Sequence, residues 1–257
     1  MVALAIANQT VREALRRRVM WIFLIIGVFL IALGPVFGFL NPRDSQVVLK
    51  SLGLAAILLA GLFITIVTCI YLIPIEIERR TIYTVLSKPV QRYEFVLGKF
   101  LGGFATVFVN IAAMGVVFLA MLWLQTPGHH VPPDMFKGIM LTFFQMLLLA
   151  ALTIFFSTFA TPVVNFFLSF GIFLVGNLSS VTDSLTTSRN AIARGVGTLV
   201  HYLLPNFGNF NIQNSIIHPQ IEIANANAFM MQSIAYALIY SAVLLILAIL
   251  IFDRREV

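Results

Sequence analysis

The chain alternates between long stretches without a charged side chain and short polar islands. Val19–Pro42, Ser51–Ile75, Phe100–Pro133, Gly138–Thr182 and Ile223–Phe252 contain no Asp, Glu, Lys or Arg. About 20 apolar residues in a helix cross the roughly 30 Å hydrocarbon core of a bilayer. Each run therefore holds one span, except that Gly138–Thr182, divided by a turn at Ala160-Thr161-Pro162, holds two. The pattern predicts transmembrane helices over 20–40, 51–73, 101–124, 138–159, 163–179 and 229–252. Lipid leaves an open strand with unpaired backbone groups, and the runs lack the alternation of a membrane barrel. The expected fold class is an all-α integral membrane protein with six transmembrane helices.

The segments between the spans add detail. In residues 1–18, Leu4, Ala7, Val11, Ala14 and Leu15 recur at helical spacing, with Asn8, Gln9, Arg12, Glu13, Arg16 and Arg17 on the other side. This predicts an amphipathic helix lying in the membrane interface, its arginines among lipid headgroups. Arg16-Arg17-Arg18 before an apolar run also fits a secretion signal. That run is about twice the usual length of a signal core and no A-x-A site follows, so an uncleaved first span is expected. Ala56 and Ala60 have the spacing that lets helices approach closely, and Gly98-x-x-x-Gly102 lies at the base of the third span. Residues 180–228 are rich in Ser, Thr and Asn around a short apolar patch, Val196–Leu204, ended by Pro205. The patch is too short to span and predicts an external region with a re-entrant or interfacial helix, its backbone covered by protein or water.

Composition agrees with the pattern. The chain is 60% hydrophobic and 10% charged, against about 25% charged in soluble domains. The net charge of +6 does not mark a nucleic-acid binder, because the basic residues cluster beside the spans without interleaved aromatics. Six spans place Arg12, Arg16, Arg17, Arg18, Arg79, Arg80, Lys88, Arg92, Lys99, Arg254 and Arg255 on one side, against Arg43, Lys50, Lys137, Arg189 and Arg194. By the positive-inside rule both termini and residues 76–99 are expected on the cytoplasmic side; the expected location is the plasma membrane, the inner membrane if the host is a bacterium.

Little reaction chemistry is encoded. The lone Cys69 excludes a disulfide or a cysteine metal cluster within one chain. His129-His130 supplies two neighbouring imidazoles, too few for a metal site. No Asp, Glu, Lys or Arg lies inside a span, which weakens a channel or an ion-coupled carrier. GxSxG and HExxH are absent, and Gly98-Lys99 is followed by Phe100 without a phosphate-cradling loop. No catalytic residue and no cofactor is expected in this chain, and any ATP hydrolysis must come from another polypeptide.

The densest island is Pro74–Phe100, with Glu76, Glu78, Arg79, Arg80, Lys88, Arg92, Glu94 and Lys99. Glu76 and Arg80 stand at i,i+4 in the favourable order. Ile75, Ile82, Val85 and Leu86 form an apolar face, and Pro89 stops the helix near Ser87-Lys88. Gln91–Lys99 reads as a second short helix before the third span. The run Glu76-Ile-Glu-Arg-Arg-Thr-Ile-Tyr-Thr-Val-Leu-Ser-Lys-Pro-Val90, followed by Arg92, Glu94-Phe95 and Leu97-Gly98-Lys99, resembles the cytoplasmic signature of ABC-2-type transporter permeases, in particular the NosY-like group. Arg12-Glu13, Arg16-Arg17-Arg18 and Leu204-Pro205-Asn206-Phe207 fit the same group.

The resemblance implies a type V exporter-like fold and a permease subunit paired with a second copy. Each copy would be bound by a separate ATP-binding subunit that carries ATP and Mg²⁺. Residues 76–88 would be the coupling helix in a groove of that subunit, with Glu76, Glu78, Arg79, Arg80, Thr81, Tyr83, Leu86, Ser87 and Lys88 as contacts. Arg12, Glu13, Arg16 and Arg17 would belong to the interfacial helix. Export of a hydrophobic or amphipathic cargo is the expected function. The alternative is a mechanotransmitter or scaffold that acts on an external partner protein without carrying cargo. A tag fused to the C-terminus is expected on the cytoplasmic side in accessibility labelling; an external tag would overturn the six-helix reading.

Overall fold

The computed structural model describes residues 2–40, 45–78, 91–126, 131–178, 204–211 and 226–254, together with 186, 194–195 and 197–198. The elements, in order, are α1 (Val2–Leu15), α2 (Arg18–Leu40), α3 (Ser45–Ile70), α4 (Pro74–Glu78), α5 (Arg92–Gln125), α6 (Asp134–Ser157), α7 (Pro162–Asn177), a 3₁₀ turn (Phe207–Phe210) and α8 (Ala226–Asp253). No strand occurs among the described residues. Five of the described helices are long and apolar enough to cross a membrane, and α7 is a shorter apolar helix. Residues 91–99 do not form a separate short helix. They are the first turns of α5, which starts where the Glu94 carboxylate accepts the Gln91 N–H at 3.3 Å.

The helices run up and down. α3 and α6 form the buried centre, whereas α2 and α8 leave most of their apolar surface exposed, as helices facing lipid do. Close approach depends on small residues: a Cβ at Gly53 would lie 2.0 Å from the Phe118 ring, and one at Gly27 would lie 2.8 Å from the Ala60 methyl. Several buried hydroxyls bond to their own helix, Thr65 to the Gly61 carbonyl at 2.7 Å, Thr106 to Gly102 at 2.9 Å and Thr153 to Leu149 at 2.8 Å. That satisfies them where no water is available.

At the end opposite the termini, the chain turns back into the bundle. Gln145 lies 11 residues into α6, roughly 16 Å from its start. Its amide nitrogen donates to the Phe207 carbonyl at 3.3 Å and to the Asn177 side chain at 3.2 Å. The Asn206 N–H donates to the Tyr236 hydroxyl at 2.9 Å, the Gly208 N–H to the Asn206 side chain at 2.9 Å, and the Ser233 hydroxyl to the Asn209 carbonyl at 2.8 Å. Gly176 makes room for the crossing, since a Cβ there would lie 2.4 Å from the Pro205 carbonyl oxygen. Phe207 and Phe210 are buried beneath. The predicted patch Val196–Leu204 lies largely outside the described residues.

Gln145→Leu leaves the buried Phe207 carbonyl without this partner, at a cost of about 1–3 kcal/mol. The variant is expected to melt several degrees below wild type in detergent, while Gln232→Leu on the exposed face of α8 leaves the melting temperature unchanged.

Candidate functional site

The polar island interrupts two apolar runs, and its roots are where the chain must manage charge at the edge of hydrocarbon. α3 ends at Ile70. A tight turn follows, in which the Leu72 N–H bonds to the Cys69 carbonyl at 3.3 Å and the Glu76 N–H to the Ile73 carbonyl at 3.1 Å. Pro74 then opens α4, a position where its missing N–H costs nothing. Glu76, on this short helix, accepts a hydrogen bond from the Lys99 ammonium at 2.7 Å. The pair is nearly buried, with side-chain exposures of 7% for Lys99 and 15% for Glu76. The ammonium also lies 5.7 Å from the centre of the Phe95 ring. One charge-assisted bond thus joins α4 to the start of α5.

Two further contacts anchor the start of α5. The Arg92 guanidinium donates to the carbonyls of Asp253 at 2.8 Å and Phe252 at 3.4 Å, closing the C-terminal end of α8. Phe95 stacks on Phe252 with ring centres 5.9 Å apart. One turn further on, α1 lies across the glycine pair of α5. A Cβ at Gly98 would be 2.8 Å from the Ala3 carbonyl oxygen, and one at Gly102 would be 2.8 Å from the Ala7 carbonyl oxygen. Four elements, α1, α4, α5 and the end of α8, therefore meet around one buried ion pair.

Ala7 and Ala14 of the expected apolar stripe of α1 face the bundle, and Leu4 departs from it. The face against the bundle is Ala3, Ile6, Ala7, Thr10 and Ala14, whereas Leu4 of the predicted apolar stripe is 69% exposed. Small residues face the bundle because glycines line the facing groove. Arg12 and Arg16 are exposed. Arg17 pairs with Glu13 at 2.9 Å and lies 5.9 Å from the centre of the Tyr71 ring, which ties α1 to the end of α3.

The model of the ABC-2 family transporter protein matches residues 4–257, nearly the whole chain. The chain belongs to the ABC-2 transporter family. No curated protein matches it. Membership makes the chain a permease component of an ABC transporter, a multi-pass membrane subunit that associates with an ATP-binding subunit. In ABC-2 permeases the membrane subunit is typically non-catalytic, and the ATPase is a separate chain.

Of the residues expected to contact the ATP-binding subunit, this ABC-2 permease places Glu76 on α4, turned to Lys99. The side chain of Glu78, with Arg79, Arg80, Thr81, Tyr83, Leu86, Ser87 and Lys88, lies outside the described residues, as do His129 and His130. Sequence reasoning paired Glu76 with Arg80 and did not find Lys99. A signal was present: Glu76 follows one uncharged run directly and Lys99 precedes the next directly. Antiparallel spans bring such flanking charges together.

Lys99→Ala leaves a nearly buried carboxylate without this partner, which costs about 3–5 kcal/mol in comparable buried pairs. A marked loss of thermal stability is expected. The exchange Glu76→Lys with Lys99→Glu should restore most of it, and failure of the exchange to do better than either single variant would show that the pair itself is not the source.

Proposed function

We propose that this permease couples ATP hydrolysis by a separate subunit to movement of a hydrophobic or amphipathic substrate across the membrane, in the direction of export. Residues 76–88 dock in the ATP-binding subunit, of which two copies bind a pair of permease chains, a homodimer. ATP and Mg²⁺ reside on that partner. The coupling residues are Glu76, Glu78, Arg79, Arg80, Thr81, Tyr83, Leu86, Ser87 and Lys88. The single observation that carries the reading is the Glu76–Lys99 bond, which joins the island to the base of a long apolar helix. A displacement of the docked segment is then felt by α5 and, through α1 and Arg92, by its neighbours. The excess of Arg and Lys at the end holding α1 and the C-terminus supports its cytoplasmic placement, and a bacterial inner membrane suits the assembly.

A second reading has one observation in its favour. Several buried polar side chains of the described spans bond to their own helix, as Thr65, Thr106, Thr142 and Thr153 do, instead of lining a path. On that reading ATP hydrolysis transmits force to an external partner protein, and the partner co-purifies with the assembled transporter.

The test is the ATPase rate of the reconstituted complex. Arg80→Ala is expected to weaken co-purification of the ATP-binding subunit at least tenfold, a change of about 1.4 kcal/mol. Glu76→Ala breaks the bond to Lys99, so it is expected to lower thermal stability as Lys99→Ala does, and, in the complex that still assembles, to lose the response of ATPase rate to the membrane subunit. Unchanged assembly and unchanged rate in both variants would overturn the assignment.

A further inference from the structure

The end of the bundle opposite α1 holds a cavity that the coupling joint does not use. It measures about 200 Å³ and lies between the last turns of α2, the first turn of α3 and the end of α5. A drug-sized molecule needs about 300–1,000 Å³, so this space suits one small ring. Its lining is mixed: Pro35, Phe39 and Leu49 are apolar, whereas Ser45, Gln46 and Gln125 are polar, and no lining residue carries a charge. The Gln46 amide donates to the Gln125 carbonyl at 3.1 Å, and its oxygen accepts from the Thr126 hydroxyl at 3.4 Å. An amide has two donors and two lone pairs, so one of each is left over. The Gln125 side chain is exposed beside it. The C-terminal ends of α2 and α5 and the N-terminal end of α3 border the cavity, which brings partial charges of both signs to it. Phe39 is 79% exposed, so its ring is open to a ligand. Trp123, exposed just before Gln125, sets the level at the bilayer interface.

We infer that this cavity binds the sugar headgroup of a neutral glycolipid. The C–H face of one hexose ring lies against Phe39 and Pro35, and its hydroxyls bond to the amides of Gln46 and Gln125 and to the Ser45 hydroxyl. Sugar hydroxyls both donate and accept, as this lining does. A fatty chain would set apolar surface against the amides, and a phosphate would meet no cation in the lining. The level of Trp123 favours a headgroup, and a free hexose offers the same ring from solution. On the proposed orientation the site belongs to the outer leaflet, but the binding does not depend on that. The bound ring would join α2, α3 and α5 where Gln46 already ties α3 to α5.

The test is native mass spectrometry and thermal shift of the full chain in a detergent without a sugar headgroup. The probes are monoglucosyldiacylglycerol, diacylglycerol and phosphatidylglycerol of identical acyl chains, with methyl glucoside as the free ring. The glucosyl lipid is expected to be retained over the other two and to raise the melting temperature. Gln125→Leu should weaken its retention about tenfold. That variant keeps the Gln46 tie, which uses the Gln125 backbone carbonyl. Phe39→Ala should weaken retention to a similar degree. Phe136→Ala, which removes an exposed ring from α6 at the same end, should change nothing. Methyl glucoside that competes only in large excess would support the membrane as the source. Competition at equal concentration would overturn the lipid as the source and leave a site for a free sugar. Equal retention of the three lipids, stronger retention of phosphatidylglycerol, an equal loss in Phe136→Ala, or full retention in both Gln125→Leu and Phe39→Ala would overturn the site.

Discussion

Hydrocarbon offers no hydrogen-bond partner, and the rest of this structure follows from that constraint. A polar group within the spans must find its partner in the protein or lie close enough to an end to reach water. The hydroxyls of Thr65, Thr106, Thr142 and Thr153 solve the problem locally, by bonding to the preceding turn. Gln145 solves it at long range, by holding the irregular backbone around Phe207. Lys99 and Glu76 solve it by pairing with one another. The local solutions leave the helix free to move as a unit. The long-range ones decide which elements must move together.

Burial of apolar surface gives helices little reason to associate in lipid, because lipid tails are as apolar as leucine. Packing then favours places where backbones approach closely. Here those places are glycines: Gly53 under Phe118, Gly27 against Ala60, Gly176 under Pro205, and Gly98 with Gly102 under α1. The last pair is the one with mechanical meaning. It seats a helix rich in small residues directly beside the buried ion pair, so that α1, α4 and α5 share one joint instead of three independent contacts.

The spans were legible because a long uncharged run has one physical interpretation. Their ends were less so. α5 begins at Arg92 and not near Leu101, because charged residues at a helix start are tolerable once Lys99 has Glu76 and Arg92 has the end of α8. In α1 the expected stripe holds at Ala7 and Ala14 but not at Leu4, because hydrophobicity ranks Leu4 above Ala3 and Thr10, while close packing against glycine ranks them the other way. The 3₁₀ turn at Phe207–Phe210 was not legible as an element. The Asn206 side chain caps the turn locally by accepting the Gly208 N–H, but four residues of this kind also need partners on α6 and α8, far away in sequence, to hold them.

The same packing limits what kind of movement the joint can pass on. Close contacts at Gly53 and Gly27 tie α2, α3 and α5 along their length, and tightly packed interfaces switch between arrangements instead of bending continuously. The helical ladder changes character at Tyr71–Ile73, where short bonds to the third residue back replace the α-helical pattern and Pro74 follows. Such a stretch often marks a hinge. On the proposed coupling, a push on residues 76–88 is carried through Glu76 to Lys99 and shifts the base of α5 as a rigid lever, with α3 pivoting at Tyr71–Ile73. The far end of that lever meets α3 again at Gln46, whose amide donates to the Gln125 carbonyl at 3.1 Å. A lever held at both ends by the same neighbour moves that neighbour with it. On that proposal α2, α3 and α5 move as one unit, against α6, α7 and the Leu204–Asn211 segment that Gln145 holds in place.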